Sequence, residues 1–488
     1  MEEAAIYVIM TATAVLTKYE LTWDDVSWEK VEDYVNRLQT RIVKALKKAK
    51  WHLVKRLQHL LANSFFARLL AVWRVTTNKG KNTPGIDGVK WTTPRLKMKA
   101  AEALSSRKYH AKPLKRVFIE KKGKKKKRPL GIPTMYDRAM QALYALTLEP
   151  IAETNGDRVS MGFRKYRSAK DASQFVFNTL SRKASAEWIL EGDIKGCFDN
   201  IDYDWMINRI PMEKRKLKEF LKSGFMYKGK LFPTKSGTPQ GGIISPIIAN
   251  MVLDGMEKVI QERYWRSPTG LIGVQWNKQK VNLVRYADDF IVTANTKETA
   301  EEVKSIISGF LAERGLELSE EKTEITHITK GFDFLGWNFR KYKGKLLVKA
   351  SQKSIKNILE KIRNTIRINR ATKQSDLIWS LNAIIRGWCN YHSHVVSKEI
   401  FKRLDNKIHK NLICWAKRRH SNKSMKWIKA KYWRRFKDRD WIFSTGKEHL
   451  TLACDTKIRR HNLVRLTANP FLPEDRKYLR DRNKTRRA

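Results

Sequence analysis

Apolar residues recur at helical spacing near the start of the chain and predict two helical segments between about Tyr34 and Thr77. The apolar positions are Leu38, Ile42, Ala45, Leu46 and Ala49 in the first segment, and Trp51, Leu57, Leu61 and Leu69 in the second. The other faces carry basic residues, among them Lys47, Lys48, Lys55 and Arg56. Such a face is either a solvated surface or a surface that binds RNA.

The middle of the chain, to about Lys349, alternates short apolar strands with helices, a pattern typical of an α/β or α+β domain. The stretch "RVFIEKKGKKKKRPLGIPT", residues 116–134, predicts a hairpin with a run of lysines at its tip. Apolar residues at helical spacing predict a helix over residues 297–314, which Gly315 would end.

Beyond Ala350 the pattern becomes helical and basic. An apolar stripe runs through Ile355, Ile358, Leu359, Ile362 and Ile366, whereas Arg363 and Arg367 lie off it. Further on, "KWIKAKYWRRFKDRDW", residues 426–441, mixes aromatic with basic side chains, which suits stacking on bases and binding of phosphates. We expect Trp433, Arg434 and Arg435 to contact nucleic acid.

The net charge of +51 strengthens that expectation, because so basic a chain repels itself unless a polyanion neutralises it. An anionic membrane surface is the alternative partner. However, the sequence has no isolated amphipathic basic helix, and its early apolar run, "AAIYVIMTATAVL", is too short to span a bilayer. The four cysteines form no CxxC pair, which argues against a disulfide framework and favours a reducing, cytoplasmic setting.

Two adjacent carboxylates stand in "VRYADDFIV", residues 284–292. The apolar runs on either side predict two strands joined by a tight turn that carries Ala287, Asp288 and Asp289. Taken alone, the stretch is either an ordinary turn containing Asp or a metal site. A second acidic stretch, "WILEGDIKGCFDNID", places Asp193 at the end of another apolar strand.

Carboxylates that converge from different strands repel one another unless a hard cation holds them. Mg²⁺ takes such oxygens while it keeps waters and substrate phosphates. Two Mg²⁺ ions, roughly 3.5–4 Å apart in sites of this kind, can activate an attacking hydroxyl and stabilise a leaving pyrophosphate. The two acidic stretches therefore favour nucleotidyl transfer.

Several short stretches follow one another in an order that is highly specific. They are "NTPGIDG", "RPLGIPT", "GDIKGCFDNID", "GTPQGGIISPIIANMVLD", "RYADDF", "GFDFLGW" and "RGWCNYH". In this order the chain resembles the group II intron-encoded reverse transcriptases of bacterial type, also called maturases, from about residue 23 to residue 475. The resemblance implies an α+β right-hand polymerase with fingers and palm, a helical thumb or X domain, and a small basic D region that binds DNA.

The domain boundaries that we expect combine this resemblance with the pattern shifts. They are an RNA-binding N-terminal extension over residues 1–80, fingers and palm over 81–349, the thumb over 350–425 and the D region over 426–488. Many relatives carry a C-terminal nuclease with paired cysteines and histidines. The present sequence ends in "RKYLRDRNKTRRA" without such pairs, so we expect no HNH endonuclease domain.

The resemblance also implies roles for single residues. Asp193 and Asp288 match the family's metal-ligating aspartates, with Asp289 as the adjacent third carboxylate. The backbone carbonyl of Ile194 would complete a site for two Mg²⁺ ions.

Other residues match the family's nucleotide site. Arg128 and a lysine, Lys121 in preference to Lys122, would bind the triphosphate, and Gln240 would lie near the nucleotide. Ile132 would pack on the templating base. Phe198 matches the aromatic gate that blocks a 2′-hydroxyl and so selects dNTPs; its alternative reading is a core residue.

Two of the matching stretches leave alternatives open. "GFDFLGW" either steadies the primer end or is a buried aromatic hairpin. In "RGWCNYH" we expect Arg386 to contact nucleic acid, and Trp388 and Tyr391 to pack in a core. The nearby His392 and His394 lack ligand spacing with any cysteine and are expected to be polar helix residues.

The expected protein is an RNA-directed DNA polymerase that also binds its group II intron RNA, assists splicing and copies the intron into DNA during retromobility. Its partners would be the intron RNA, an RNA template with a DNA primer, dNTPs and a DNA target, with a monomer or homodimer as the active particle. One alternative is a splicing factor without polymerase activity, and the other is a domesticated reverse transcriptase in host defence.

Overall fold

The computed structural model describes residues 22–105, 107, 109–120 and 127–487, and only the backbone of residues 484–487. Lys121, Lys122 and the early apolar run lie outside the described residues. None of the described helices is both long and apolar enough to cross a membrane.

The elements of the first half alternate helices with short strands. In chain order they are α1 (Trp28–Lys47), α2 (Trp51–Asn63), α3 (Phe65–Thr77), α4 (Pro94–Ala103), β1 (Leu114–Ile119), β2 (Arg128–Ile132), α5 (Met135–Asn155), α6 (Ala169–Leu180), β3 (Trp188–Asp193), α7 (Cys197–Asn200), α8 (Tyr203–Arg209), α9 (Lys214–Leu221), β4 (Phe225–Tyr227) and β5 (Lys230–Phe232).

The second half ends in long helices and a hairpin. Its elements are α10 (Ser245–Leu253), α11 (Met256–Tyr264), β6 (Asn282–Tyr286), β7 (Asp289–Ala294), α12 (Lys297–Ala312), β8 (Glu324–His327), β9 (Phe332–Phe334), β10 (Trp337–Tyr342), β11 (Lys345–Ala350), α13 (Gln352–Ile368), α14 (Gln374–His392), α15 (Lys398–Arg419), α16 (Met425–Tyr432), β12 (Trp433–Phe436), β13 (Arg439–Phe443) and α17 (Pro473–Arg487).

The N-terminal helices α1, α2 and α3 pack on the long, largely buried helix α5. Two details of the predicted pattern are wrong. The second predicted segment is two helices, because Ser64 has an extended backbone that ends α2 and begins α3. Ala49 is exposed and has a φ of 53°, so it lies in the turn after α1 and not in the apolar stripe.

The predicted hairpin of residues 116–134 is confirmed outside its tip. Strands β1 and β2 pair antiparallel from Lys115 opposite Ile132 to Ile119 opposite Arg128. They form one side of a sheet with the order β2-β1-β4-β5.

A second sheet, with the order β6-β7-β3-β8, is packed on both faces. One face of it packs Leu190 and Phe290 into the core shared with the helices around α5. The other face packs Ile189 and Ile291 against α6 and the sheet β9–β11. Helix α12 ends two residues earlier than predicted, and Gly315 follows it with a φ of 70°, as a helix stop requires.

The thumb helices α13, α14 and α15 share a separate core with the hairpin β12–β13. The predicted stripe on α13 is confirmed, since Ile358, Ile362 and Ile366 are buried. The mixture of helices with these sheets confirms the α+β expectation; the domain boundaries stay predictions.

The C-terminal segment returns from the thumb to the palm and the N-terminal helices. Arg167 donates to the carbonyl of Leu466 at 3.0 Å, and the Thr40 hydroxyl donates to the carbonyl of Phe471 at 2.7 Å. The segment around Leu466 and Phe471 therefore packs on the polymerase body.

Candidate active site

The two aspartates of "RYADDF" lie where β6 turns into β7. Tyr286 pairs with Asp289, which leaves Ala287 and Asp288 as a two-residue turn. Ala287 has a φ of 59°, the left-handed conformation that tight hairpin turns need. The predicted hairpin is thus confirmed, except that Asp289 begins the second strand instead of lying in the turn.

Asp193 meets this hairpin from the neighbouring strand. β3 and β7 pair antiparallel, and the last pair of the ladder is Asp193 opposite Asp289. One step earlier, Gly192 lies opposite Phe290, whose ring would stand 2.1 Å from a Cβ at that position. Only glycine, which has no Cβ, leaves room for the buried Phe290 ring at the position directly before Asp193.

Burial and mutual repulsion act on the carboxylates. Burial raises the pKa of Asp288, and the negative charge of Asp193 raises it further. Burial, followed by the charges of Asp288 and Asp193, raises the pKa of Asp289 to about 6. Such a group of repelling carboxylates would gain from a bound cation.

A cationic partner of the aspartates is one that the sequence did not reveal. Lys322, at the end of a short 3₁₀ turn (Glu320–Lys322), forms a short ion pair with Asp193. In "LSEEKTEI" this lysine stands among glutamates and resembles any solvated lysine, and only the return of the chain beside β3 brings it to the site.

The carboxylates of Asp193 and Asp288 and the carbonyl of Ile194 are oxygen donors of the kind that fits a hard cation, although they are not already arranged around one. Among the described residues, no three Asp, Glu, His or Cys side chains are arranged as a metal site. Ile194 and Leu318 form a bridge whose hydrogen bonds use the flanking residues, so the Ile194 carbonyl points away from Leu318. Carboxylate and carbonyl oxygens of this kind are the ligands that Mg²⁺ prefers.

The segment "TPQGG", residues 238–242, lies against the fingers sheet. The amide of Gly131, on β2, donates to the carbonyl of Gln240 at 2.7 Å. A Cβ at Gly241, whose φ is 117°, would stand 2.4 Å from the carbonyl oxygen of Gly131. The close approach of two backbones explains this glycine and holds Gln240 at the sheet.

Phe198 lies on the other side of the same segment. Its carbonyl accepts from the amide of Thr238 at 2.7 Å, while the Gln240 side chain donates to Asp199 at 3.4 Å. The Phe198 ring is half-buried and meets the exposed ring of Phe163 edge to face, with the centroids 6.4 Å apart. The structure therefore brings Phe198 and Gln240 together.

The fingers strand β2 contributes residues at both ends. Arg128 is exposed at its start, and its charge lowers the pKa of Asp288, so the guanidinium lies within electrostatic reach of the aspartates. Ile132, at its other end, is half-buried.

A buried arginine next to the aspartate hairpin has partners that no sequence pattern indicated. Arg285 is fully buried and pairs with Asp254 at 2.6 Å and with Asp157 at 3.9 Å. Burial raises the pKa of Asp254, and Arg285 opposes that rise. The hairpin turn also lies close to Gly162, where an added Cβ would stand 2.4 Å from the amide nitrogen of Ala287.

The aromatic side chains of "GFDFLGW" belong to a core. Phe332, Phe334 and Trp337 are all buried, and Tyr391 stacks on Trp337 with the centroids 4.5 Å apart. The packing role expected for Tyr391 is confirmed. His392 is the last residue of α14, as expected of a helix residue, and it is fully buried. His394 lies past the end of α14, so the expectation of a helix residue is wrong there; its ring packs edge to face on Trp337.

The basic residues singled out for nucleic acid lie at the surface. The exposed ones are Lys47, Lys48, Lys55, Arg56, Arg363, Arg367, Arg386, Arg434 and Arg435. The expectation that Trp433 contacts nucleic acid is wrong. Its side chain is only 4% exposed and packs against Phe443, which leaves no free ring face for a base. Two other rings of this region, Trp427 and Trp441, are exposed, and the Lys429 ammonium lies 4.9 Å from the centroid of Trp441.

Comparison with known families gives three matches along the chain. Residues 119–339 match the reverse transcriptase (RNA-dependent DNA polymerase) family, and residues 23–104 match the N-terminal domain of reverse transcriptase. Residues 355–433 match the maturase-specific domain of group II introns.

Two curated proteins are similar over most of their own length. The group II intron-encoded protein LtrA of Lactococcus lactis subsp. cremoris is 31% identical over 414 residues, which cover 66% of this chain and 68% of LtrA. Protein YkfC of Escherichia coli (strain K12) is 29% identical over 348 residues, which cover 63% of this chain and 87% of YkfC.

Among solved structures, telomerase from Candida albicans in complex with a fragment of telomeric RNA aligns with 64% of this chain and 60% of its own, at 12% identity and a TM-score of 0.36. That likeness is too low to carry an argument. The family matches and the identity to LtrA are sufficient: the chain belongs to the group II intron-encoded proteins, and it is an RNA-directed DNA polymerase with a maturase domain.

Proposed function

We propose that Asp193, Asp288 and Asp289 are the catalytic carboxylates of this polymerase and that it extends a DNA primer with dNTPs on an RNA template. The observation that carries the proposal is the ladder pair of Asp193 and Asp289, with Asp288 in the adjoining turn. Three carboxylates, from β3 and from the hairpin β6–β7, thereby share one small region, in which Asp193 and Asp288 are half-buried and Asp289 is exposed.

Two Mg²⁺ ions would be held by Asp193, Asp288 and the carbonyl of Ile194. Bound there, they would supply the charge that lowers the pKa of the primer hydroxyl and stabilises the leaving pyrophosphate. The raised pKa values of Asp288 and Asp289 support this, since burial and then mutual repulsion raise them and a bound cation would offset both effects. The pairing of β3 with β7 would keep these ligands in place before the substrate binds.

The residues around the aspartates would hold the nucleotide. Arg128 would grip the triphosphate, together with Lys121 from the basic tip of the fingers hairpin. Gln240, fixed through its carbonyl to β2, would lie beside the nascent pair, and Ile132 on the same strand would pack on the templating base. Phe198 would exclude a 2′-hydroxyl from the space next to Asp199.

The maturase function would use the basic surfaces. The exposed basic residues of α1 and α2, and Arg363, Arg367 and Arg386 on the thumb, would bind the phosphates of the group II intron RNA and so assist its splicing. The hairpin β12–β13, with Arg434, Arg435 and the exposed Trp441, would contact the DNA target during retromobility in the cytoplasm.

Primer extension tests the proposal. Wild type, Asp288→Ala and the control Asp204→Ala, which changes an exposed carboxylate on α8, are compared on one RNA template with a DNA primer and Mg²⁺. Asp288→Ala should lose about a thousandfold or more in rate, because a ligand of the ions is gone, while its affinity for RNA stays within about twofold. Asp204→Ala should match wild type.

Two other outcomes would count against the proposal. If Asp288→Ala extends the primer as fast as wild type, the aspartates are not the catalytic carboxylates. If the wild type does not extend the primer with either dNTPs or NTPs, a splicing factor without polymerase activity is favoured. The nucleotide role of Phe198 is tested in the same assay, because Phe198→Val should extend with NTPs about ten- to a hundredfold faster than wild type.

A further inference from the structure

We propose that Lys322 is a built-in counter-ion of the catalytic carboxylates, which occupies a cation position beside Asp193 and has to be displaced when a divalent cation binds. The inference rests on the proposed metal role of Asp193 and Asp288 and adds a residue that this role did not include. It assigns Lys322 as a positioning residue that sets the cation affinity of the site.

The contact itself is direct. The Lys322 ammonium forms a short ion pair with one carboxylate oxygen of Asp193. The Asp193 side chain is 17% exposed and the Lys322 side chain is 50% exposed. The carboxylate is therefore held in place, whereas the lysine can turn into solvent without any change in the core.

The backbone delivers Lys322 to this position. The amide of Ser319 donates to the carbonyl of Asp193 at 2.8 Å, and the amide of Lys195 donates to the carbonyl of Glu317 at 2.9 Å. These two bonds tie the segment before the 3₁₀ turn to the end of β3. Lys322 follows three residues later, so the ion pair is built into the chain path and is not a chance contact of a long side chain.

The charges explain why the two cations compete. One ammonium group offsets one of three neighbouring carboxylates, whereas a divalent cation offsets two and accepts several oxygen ligands at once. The ammonium already lies on an oxygen of Asp193 that a metal would need. A metal therefore binds only after the pair opens, and the cost of opening weakens its apparent affinity.

Binding of Mn²⁺ to the full chain without nucleic acid tests this, with free Mn²⁺ measured by electron paramagnetic resonance. Lys322→Gln should bind Mn²⁺ about fivefold more tightly than wild type, the effect expected when a half-exposed competing ion pair is removed. The matched control is Lys195→Gln, since Lys195 pairs with Glu317 at 3.5 Å, is exposed, and also lies within two residues of Asp193. It removes the same charge nearby and should change the affinity less than twofold.

A third variant separates this inference from the proposed function. If Asp288→Ala binds Mn²⁺ as wild type does, the ion lies elsewhere, and the metal role fails together with the counter-ion. If Asp288→Ala weakens binding while Lys322→Gln binds as wild type does, or more weakly, the metal role stands and the competition is overturned. Equal tightening by Lys322→Gln and Lys195→Gln would also overturn it, because a general charge effect would then suffice.

Discussion

Gly192 shows how closely single residues constrain the site. It lies directly before Asp193, and its missing side chain makes room for the ring of Phe290. The sequence marks a glycine at the end of a strand but not the ring that needs the space. The partner comes from β7, about a hundred residues further along the chain.

Replacing this glycine is expected to harm both stability and catalysis. Gly192→Ala should lower the free energy of unfolding by about 1–3 kcal/mol, because the ring or the strand has to move. The shift should also misplace Asp193 and reduce primer extension. Urea unfolding and the extension assay measure the two effects.

Gly309 provides the control. It lies in α12, and a Cβ there would meet nothing within 4 Å. Gly309→Ala should raise the free energy of unfolding by about 0.5–1 kcal/mol, because alanine favours the helix. A Gly192→Ala protein that is as stable and active as wild type would show that the ring moves aside freely.

Among the elements, the hairpin β6–β7 is stabilised by the buried ion pairs of Arg285. Its strands were predictable from alternating apolar residues, since that pattern is local. Arg285 was also visible as a basic residue in a strand, but a basic residue in a strand is normally exposed. Its burial depends on Asp254 and Asp157, which reach it from α10 and from the loop after α5.

Removal of this arginine is expected to be costly. Arg285→Met should lower the free energy of unfolding by about 3–5 kcal/mol, because two carboxylates lose the cation that compensates their burial. Thermal or urea unfolding measures the loss. The double variant Arg285→Met with Asp254→Asn should recover part of it, since one buried charge is then absent.

The comparison variant is Arg263→Met, which breaks an exposed ion pair between Arg263 and Glu302 with a distance of 2.6 Å. Its effect should be much smaller than that of Arg285→Met, because solvent already screens both groups. Equal effects of Arg263→Met and Arg285→Met would mean that the buried pair contributes no more than a surface pair.

At the scale of the whole molecule, two histidines lie where the thumb meets the palm. His392 is buried against Trp388 and Trp337, and His394 lies within hydrogen-bonding distance of Ser173 on α6. Burial, followed by the charge of Lys170, lowers the pKa of His392 to about 4 and that of His394 to about 3. Both rings are therefore neutral in the folded protein.

Acid should loosen this junction. Each pKa is lower in the folded than in the unfolded chain, so the stabilisation is complete above the ordinary histidine pKa of about 6.5 and is lost as the pH falls towards 4 and 3. We expect wild type to lose about 1–3 kcal/mol of unfolding free energy per histidine between pH 7 and pH 4. Thermal unfolding across that range measures the loss.

The variant that isolates the effect is His394→Gln, which cannot titrate and should flatten the pH dependence. The exposed His52 on α2 provides the control, and His52→Gln should leave the pH profile of wild type unchanged. A profile that His394→Gln does not alter would place the acid sensitivity elsewhere.

The last part of the chain shows a limit of local patterns at this scale. The DNA-binding role that the resemblance implies for residues 426–488 stays a prediction. What no local pattern indicated is that the end of this segment packs on α5 and α6, where Arg482 pairs with the buried Asp171 and Asn469 donates to the Thr154 hydroxyl at 3.0 Å. The burial of Trp433 was missed for the same reason, since the sequence does not show that Phe443 covers it.

By itself, the sequence determined the alternating strands, the apolar stripe of α13, and the acidic stretches that end at Asp193 and Asp288. These depend on neighbours a few residues apart, which a periodic pattern records. Only the tertiary structure decided that Asp193 faces Asp289, that Lys322 pairs with Asp193, and that Arg285 is buried. Each joins segments far apart in the chain, and a contact of that kind is set by how sheets and helices pack, which no short stretch of sequence contains.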